Sequence, residues 1–448
     1  MASLTALLDQ IKRDPLQLIR HGTVFRVCRD LGYRWRQREL DPATTIGLFI
    51  QQVIQGNTPC TQVRHIAQKD FTASAWCQAR KRLSLAVYQT LVQRFYDAAS
   101  EKDATVSARW HGHRVFLVDG SGVSMPDTRQ LQKEFGQPPG QKPGCGFPTA
   151  HVLFLFNANT GMLAEAIPAC WKRGDLADVP ALLKHLKGSD ILLGDDSFGS
   201  YVVLALLLQQ GKHGLFPAHH ARIVDFRPHR PFAPEGEAVA GRPRSRWIRS
   251  LGRRDQLVEY FKPAQKPRWM TQEDFEALPA SILVRELRRT IFRPHRPPQP
   301  LTMVTTLIDE REYPPEELTE LRGRRWEVET DIGHLKTTMK MDVLRCKTPQ
   351  GVRKELCIFA LVYNLVRLLM MEASRRQKVP LQRISFADTL HWLRHVRAGD
   401  RLPRLIVNPE RRGRSEPRVK KRRPKPYSYM AKPRAEPRKT GEKRRRRN

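Results

Sequence analysis

Three acidic side chains far apart in the chain, Asp119, Asp195 and Glu329, stand where carboxylates can be delivered to one point. Asp119 closes the apolar run Arg114-Val-Phe-Leu-Val118, and Asp195 closes Asp190-Ile-Leu-Leu-Gly194, so each is expected at the end of a short strand. Glu329 lies in Arg322-Gly-Arg-Arg-Trp-Glu-Val-Glu-Thr-Asp-Ile-Gly-His-Leu-Lys336, which reads as a helix. At about 100° per residue, Arg325 falls about 40° from Glu329 and Lys336 returns to within about 20° of it. One face then carries a carboxylate between two cations, while Glu327 and Asp331 point off that face. A rise of about 1.5 Å per residue puts about 10 Å between Glu329 and Lys336, a span over which successive phosphates of a nucleic-acid strand can be touched. An amphipathic surface helix with ordinary Glu and Lys pairs has the same pattern. Three acids from two strands and a helix can hold two divalent ions, one activating a hydroxyl nucleophile and the other stabilising the leaving oxygen of a phosphodiester. That chemistry needs no nucleotide loop, and the sequence has no Walker-type Gly-rich loop. Asp196 competes with Asp195 for the second position. Consecutive side chains at a strand end face opposite ways, so only one of them meets Asp119. Asp195 is the expected ligand, and Asp196 is expected to cap the helix starting near Gly199.

The elements that must position these groups change character along the chain. Residues 1–105 read as a helical module, with Thr72 as a cap before Ala73–Arg82 and apolar residues at helical spacing from Leu85 to Phe95. Such a basic module either lies on DNA or packs with a basic surface. After Asp119, Gly120-Ser-Gly122 reads as a turn. His151–Phe156 and Met162–Ile167 read as a hairpin, 176–186 as mostly helical, and Tyr201–Gln209 as a helix. The Pro- and Arg-rich stretch from about 220 to 300 alternates rather than running helically and reads as a β insertion with a basic surface. Aromatics among arginines there suit stacking on unpaired bases, or a small core. Leu301–Ile308 is a further strand, and Phe359–Met371 belongs to a buried apolar helix. A C-terminal helical segment is expected over 376–409. From 410 to 448 the chain carries 18 Lys and Arg against four Glu with almost no aliphatics, the composition of a disordered basic tail.

The balance of 79 Lys and Arg against 45 Asp and Glu, a net charge of +34, favours a polyanionic partner, with nucleic acid ahead of an acidic membrane surface. No uninterrupted apolar run reads as long enough to cross a bilayer, and the N-terminus lacks a signal peptide's pattern, so no membrane association and a cytoplasmic protein are expected. The seven scattered cysteines indicate neither a disulfide framework nor a zinc ribbon.

Taken together, these residues resemble a DDE transposase of the RNase H-like superfamily, in the insertion-sequence family numbered four. Its signature is Tyr, two residues, Arg, three residues, Glu, six residues, Lys. Arg325, Glu329 and Lys336 keep that spacing, and Arg322 occupies the Tyr position. Asp342-Val-Leu-Arg345 and Tyr363-Asn-Leu365 follow; Val118-Asp-Gly-Ser121, with Pro126-Asp-Thr128 and Gly144-Cys-Gly-Phe-Pro148, matches the first acid, and Gly194-Asp-Asp-Ser-Phe-Gly-Ser-Tyr201 the second. The resemblance runs over about 110–375. It implies an α/β fold: an RNase H-like mixed-sheet core over 110–375, interrupted by a β insertion subdomain at about 220–300, with the N-terminal helical domain as a DNA-binding unit. It also implies Mg2+, with Mn2+ able to substitute, held by Asp119, Asp195 and Glu329, and DNA contacts from Arg322, Arg325 and Lys336. The activity implied is binding of an element's inverted-repeat ends, cleavage to free 3′ hydroxyls and joining to target DNA, within a paired-end homodimer in the bacterial cytoplasm. A noncatalytic DNA-binding descendant and a simple metal-dependent nuclease are the alternatives.

Overall fold

Apolar residues at helical spacing build the first hundred residues into α1 (His21–Asp30), α2 (Pro42–Ile54), α3 (Val63–Ala67), α4 (Ala73–Arg82) and α5 (Leu85–Lys102). The computed structural model describes residues 21–407 apart from 68, 103–108, 139–140, 234–240, 294–295 and 397–399, so the expected tail from 410 to 448 lies outside the described residues. Thr72 caps α4 as its sequence implied, its hydroxyl accepting the Ala75 N–H at 3.0 Å.

The strand β1 (Val115–Ser124) runs straight through Asp119, and Gly120-Ser-Gly122 is not the turn it resembles. Its pairing with β2 (Thr149–Asn157) is unbroken from Phe116 opposite Asn157 to Ser124 opposite Thr149. The glycines answer a steric demand instead. A Cβ at Gly120 would collide with the His151 ring, and one at Gly122 would lie 2.9 Å from Cζ2 of Trp171. After β1 comes α6 (Arg129–Glu134), and β3 (Leu163–Cys170) completes the expected hairpin with β2. The helix expected over 176–186 is shorter, a 3-10 turn leading into α7 (Val179–Leu183). Then follow β4 (Ile191–Leu193), α8 (Tyr201–Gln209), β5 (His213–Pro217), β6 (Arg246–Gly252), β7 (Asp255–Phe261), α9 (Gln272–Glu276), β8 (Ser281–Arg293) and β9 (Arg296–Thr305).

All nine strands form one sheet in the order β3-β2-β1-β4-β5-β9-β8-β7-β6. The β1–β4 and β4–β5 pairs are parallel, and the other neighbours are antiparallel. The strands between 246 and 293 therefore extend the main sheet, joined through β9, which bonds to β5 on one side and β8 on the other. Four α-helices follow β9 among the described residues: α10 (Pro315–Gly323), α11 (Glu327–Gly333), α12 (Pro349–Gln377) and α13 (Phe386–His395).

Side chains alternate across the strands, so each face has its own core. Leu117, Ile191, Leu193 and Leu215 pack with Phe49 of α2, Trp76 of α4, Val328 of α11 and Phe359 of α12. Phe116, Val118, Leu192 and Phe216 pack with α7 and α8 on the other face. The N-terminal helices thus share a core with the helix that carries Glu329. By length and composition α12 could cross a membrane, contrary to the expected absence of such a run, yet 89% of its most apolar stretch is buried in the protein. It is the central core helix. Asn364 on α12 closes a paired contact with Leu163 of β3, accepting its N–H and donating to its carbonyl, both at 2.8 Å. Tyr363 Oη donates to the Gly161 carbonyl at 3.0 Å, so two adjacent residues pin the β2–β3 turn. All seven cysteines are free thiols.

Candidate active site

Parallel pairing of β1 with β4 places Leu117 beside Leu193. Asp119 and Asp195 each follow by two residues, so both acids leave the sheet at one level and on the face packed by α11 and α12. The chain leaves β4 at Gly194, where a Cβ would sit 2.8 Å from Cδ2 of Phe198 and 3.0 Å from Cγ1 of Val118. Asp195 then adopts an extended backbone and caps the 3-10 turn Asp196–Gly199, its Oδ1 accepting from Ser197 N at 3.0 Å and Ser197 Oγ at 2.6 Å. Asp196 caps no helix: Asp195, two residues beyond the end of β4, caps the 3-10 turn, and α8 starts at Tyr201 behind Ser200 with no side-chain capping bond. Hydrogen bonds to one carboxylate oxygen fix the group's orientation and aim the other. Asp196 turns instead to His220, Oδ2 to Nδ1 at 3.3 Å.

The segment expected as one regular helix is interrupted twice, by a 3-10 turn at Arg324–Trp326 and a π-helical turn at His334–Thr338. Arg325 and Glu329, four residues apart, remain neighbours. Arg325 Nη1 lies 3.3 Å from Glu329 Oε1 and 3.2 Å from Asp119 Oδ2, so a single cationic group bridges the strand acid and the helix acid. Asp119 Oδ1 accepts the Gly120 N–H at 2.9 Å. Burial pushes the Asp119 carboxyl above the usual carboxylate range; Arg325 and the Gly120 bond oppose this, and the charges of Asp195 and Glu329 add to it.

Lys336 sits in the π turn, which adds width to the helix and takes it out of the simple angular relation to Glu329. Its Nζ donates to Ser121 Oγ at 2.9 Å, and Ser121 is two residues beyond Asp119 on the same face of β1. Burial holds the Lys336 ammonium below the ordinary lysine range, with Asp342 opposing. Beside it opens a cleft of about 570 Å3, lined by Lys340, Arg345 and the Gly56–Asn57 end of α2. Arg322 lies in the last turn of α10 and is 8% exposed.

Asp331 points off that face as expected and is buried there in an ion pair with Arg367 of α12, whose Nε donates to Tyr363 Oη at 2.9 Å. Burial lowers Arg367 to about 10. Asp331, Arg367 and Tyr363 therefore tie the Glu329 helix to the residues that pin the β2–β3 turn. The one sequence signal for this network was the Tyr363-Asn-Leu365 motif.

A family model described as "Transposase DDE domain" matches residues 110–365, more than half of the chain. The chain is similar to the transposase InsG for insertion sequence element IS4 of Escherichia coli K12, with 26% identity over 378 residues, covering 79% of this chain and 77% of that protein. It is also similar to a piggyBac transposase in a synaptic complex with hairpin DNA, at 11% identity and a TM-score of 0.40, over 88% of this chain and 80% of the other.

Proposed function

The chain belongs to the DDE transposases, and from that premise we propose that it is of the insertion-sequence-four type, binds the inverted-repeat ends of its element, cleaves DNA to free 3′ hydroxyls and joins them to target DNA. The observation that carries the reading is the Arg325 bridge between Asp119 and Glu329, with Asp195 at the same level of the adjoining strand. The sheet order β3-β2-β1-β4-β5, three antiparallel strands followed by two parallel ones, supports an RNase H-like core over 110–375. On this reading the strands between 246 and 293 are its insertion, and the helices before 105 its DNA-binding part.

The donor set fits a hard divalent cation. Asp119, Asp195 and Glu329 offer only carboxylate oxygens, and a positively charged nitrogen already lies between two of them. When bound, Mg2+, or Mn2+ in its place, supplies Lewis acidity at the attacking and leaving oxygens of a phosphodiester. The protein's own groups do the positioning. The Ser197 bonds hold Asp195, the Gly120 N–H holds Asp119, and the Asp331–Arg367 pair holds the helix of Glu329. Lys336 and Arg325 grip phosphates of the cleaved strand, and the basic cleft beside Lys336 extends that path. The active form is a homodimer holding two ends, in the cytoplasm.

The test is purified protein with Mg2+ and DNA carrying the flanking element ends, scored for cut and joined products. Joined ends support the reading. Cutting without joining identifies a nuclease, and end binding without cutting a noncatalytic descendant.

A further inference from the structure

We propose that Asp196, His219 and His220 form a second divalent-cation site, of zinc type, separate from the three-acid set. The β4 and β5 strands are parallel neighbours with Leu193 beside Leu215, so the loops that follow them emerge at the same edge of the sheet. Asp196 lies on the first loop and His219 and His220 on the second. One ligand atom from each comes within 4.8 Å of the other two. The His220 Nδ1 to Asp196 Oδ2 distance is 3.3 Å, and the two imidazoles stand 4.2 Å apart, centre to centre. Zinc bonds of about 2.0–2.2 Å in a tetrahedral arrangement put neighbouring ligand atoms roughly 3.4 Å apart. The Asp196–His220 pair already has that spacing, and rotation of exposed side chains closes the third contact, since His220 is 81% and Asp196 40% exposed. The Ala221 N–H donates to His219 Nδ1 at 3.2 Å, so that nitrogen's single in-plane lone pair is engaged, and zinc takes it only in exchange for this one exposed hydrogen bond.

Ligand chemistry separates the two sites. Two imidazoles and one carboxylate select zinc-type ions over Mg2+, whereas three carboxylates select the reverse. Three protein ligands leave a fourth position for water or a phosphate oxygen. Because Asp196 adjoins Asp195, an ion here also links the backbone that presents Asp195 to the loop after β5.

The experiment titrates Zn2+ into the full chain by calorimetry, in a buffer containing excess Mg2+. One zinc equivalent is expected both in the natural protein and in the Asp119→Asn, Asp195→Asn, Glu329→Gln triple variant. In the His219→Ala, His220→Ala double variant its affinity should fall by at least about tenfold. A His219→Gln, His220→Gln variant that keeps side-chain bulk should lose it equally, and zinc should raise the melting temperature of the natural protein but not of either histidine variant. The proposal is overturned if zinc does not bind the natural protein at micromolar concentration, if either folded histidine variant retains the natural affinity, or if the triple variant loses the equivalent. None of these readouts depends on DNA cleavage, so the result stands apart from that of the strand-joining assay.

Discussion

Replacing Asp331 by Asn tests whether the helix of Glu329 is held from beneath. The Asp331 and Arg367 side chains are 6% and 9% exposed, so the change leaves a guanidinium buried without its carboxylate. Breaking a buried pair in this way costs about 3–5 kcal/mol, which raises the unfolded fraction by about two to four powers of ten. The natural control lies on the same helix. Glu327 pairs with Arg324 at 3.2 Å, but those side chains are 35% and 27% exposed, and such a partly solvated pair contributes about 0–1 kcal/mol. Urea unfolding of Asp331→Asn and Glu327→Gln beside the natural protein, with midpoints and slopes compared, separates the two. Asp331→Asn should shift the midpoint far more at an unchanged slope. Cleavage by the fraction still folded should also fall, because the helix presenting Glu329 loses its anchor to α12. A loss for Asp331→Asn within about 1 kcal/mol of that for Glu327→Gln would refute the reasoning.

Asp195→Asn should abolish cleavage in Mg2+ while leaving the melting temperature nearly unchanged, since Asn caps a helix as well as Asp does but carries no charge; appreciable residual cutting would move the ligand elsewhere. Asp119 has a folded pKa raised mainly by burial, so the folded chain holds that proton more tightly than the unfolded chain, and this group's contribution to stability is fully present below its unfolded pKa and is lost as pH rises through the folded value. Asp119→Asn should therefore melt higher than the natural protein near neutral pH in chelator, with Mg2+ narrowing the gap by stabilising only the natural protein; a lower melting temperature counts against the burial argument. Deleting residues 410–448 should flatten the dependence of log K on log salt for duplex DNA by about 0.9 for each phosphate released, and an unchanged slope in a binding titration means those residues do not touch DNA.

What could be read from the chain alone was whatever neighbours in sequence decide. Arg325 and Glu329 are one helical turn apart, and they meet as their spacing requires. The apolar runs before Asp119 and Asp195 form adjacent strands whose shared level places both acids together. Distant partners decided the rest. Gly120-Ser-Gly122 has a turn's composition, but the need for glycine comes from His151 and Trp171 crossing β1. The spacing of Asp331 shows only that it lies off the Arg325–Glu329 face; its partner Arg367, 36 residues later, is supplied by the fold. The phase of Lys336 was lost to the π turn, and β5 offers only Leu215 and Phe216 between a glycine and a proline; its place is set by β4 and by β9, which comes far later in the chain.

That last pairing orders events during synthesis. The outer side of β5 finds its partner only when Thr305 of β9 has been made, about 90 residues after Pro217, a delay of roughly 4–18 s at about 5–20 residues per second. The intervening strands have time to form hairpins while β5 is still a bare edge, and the sheet closes from both sides only when β9 arrives between them. Glu329 is made later still, and α12, against which its helix is anchored, after that. A nascent chain halted within the insertion holds two of the acids and nothing to bring them a third, so assembly of the acid cluster waits until α12 has been translated.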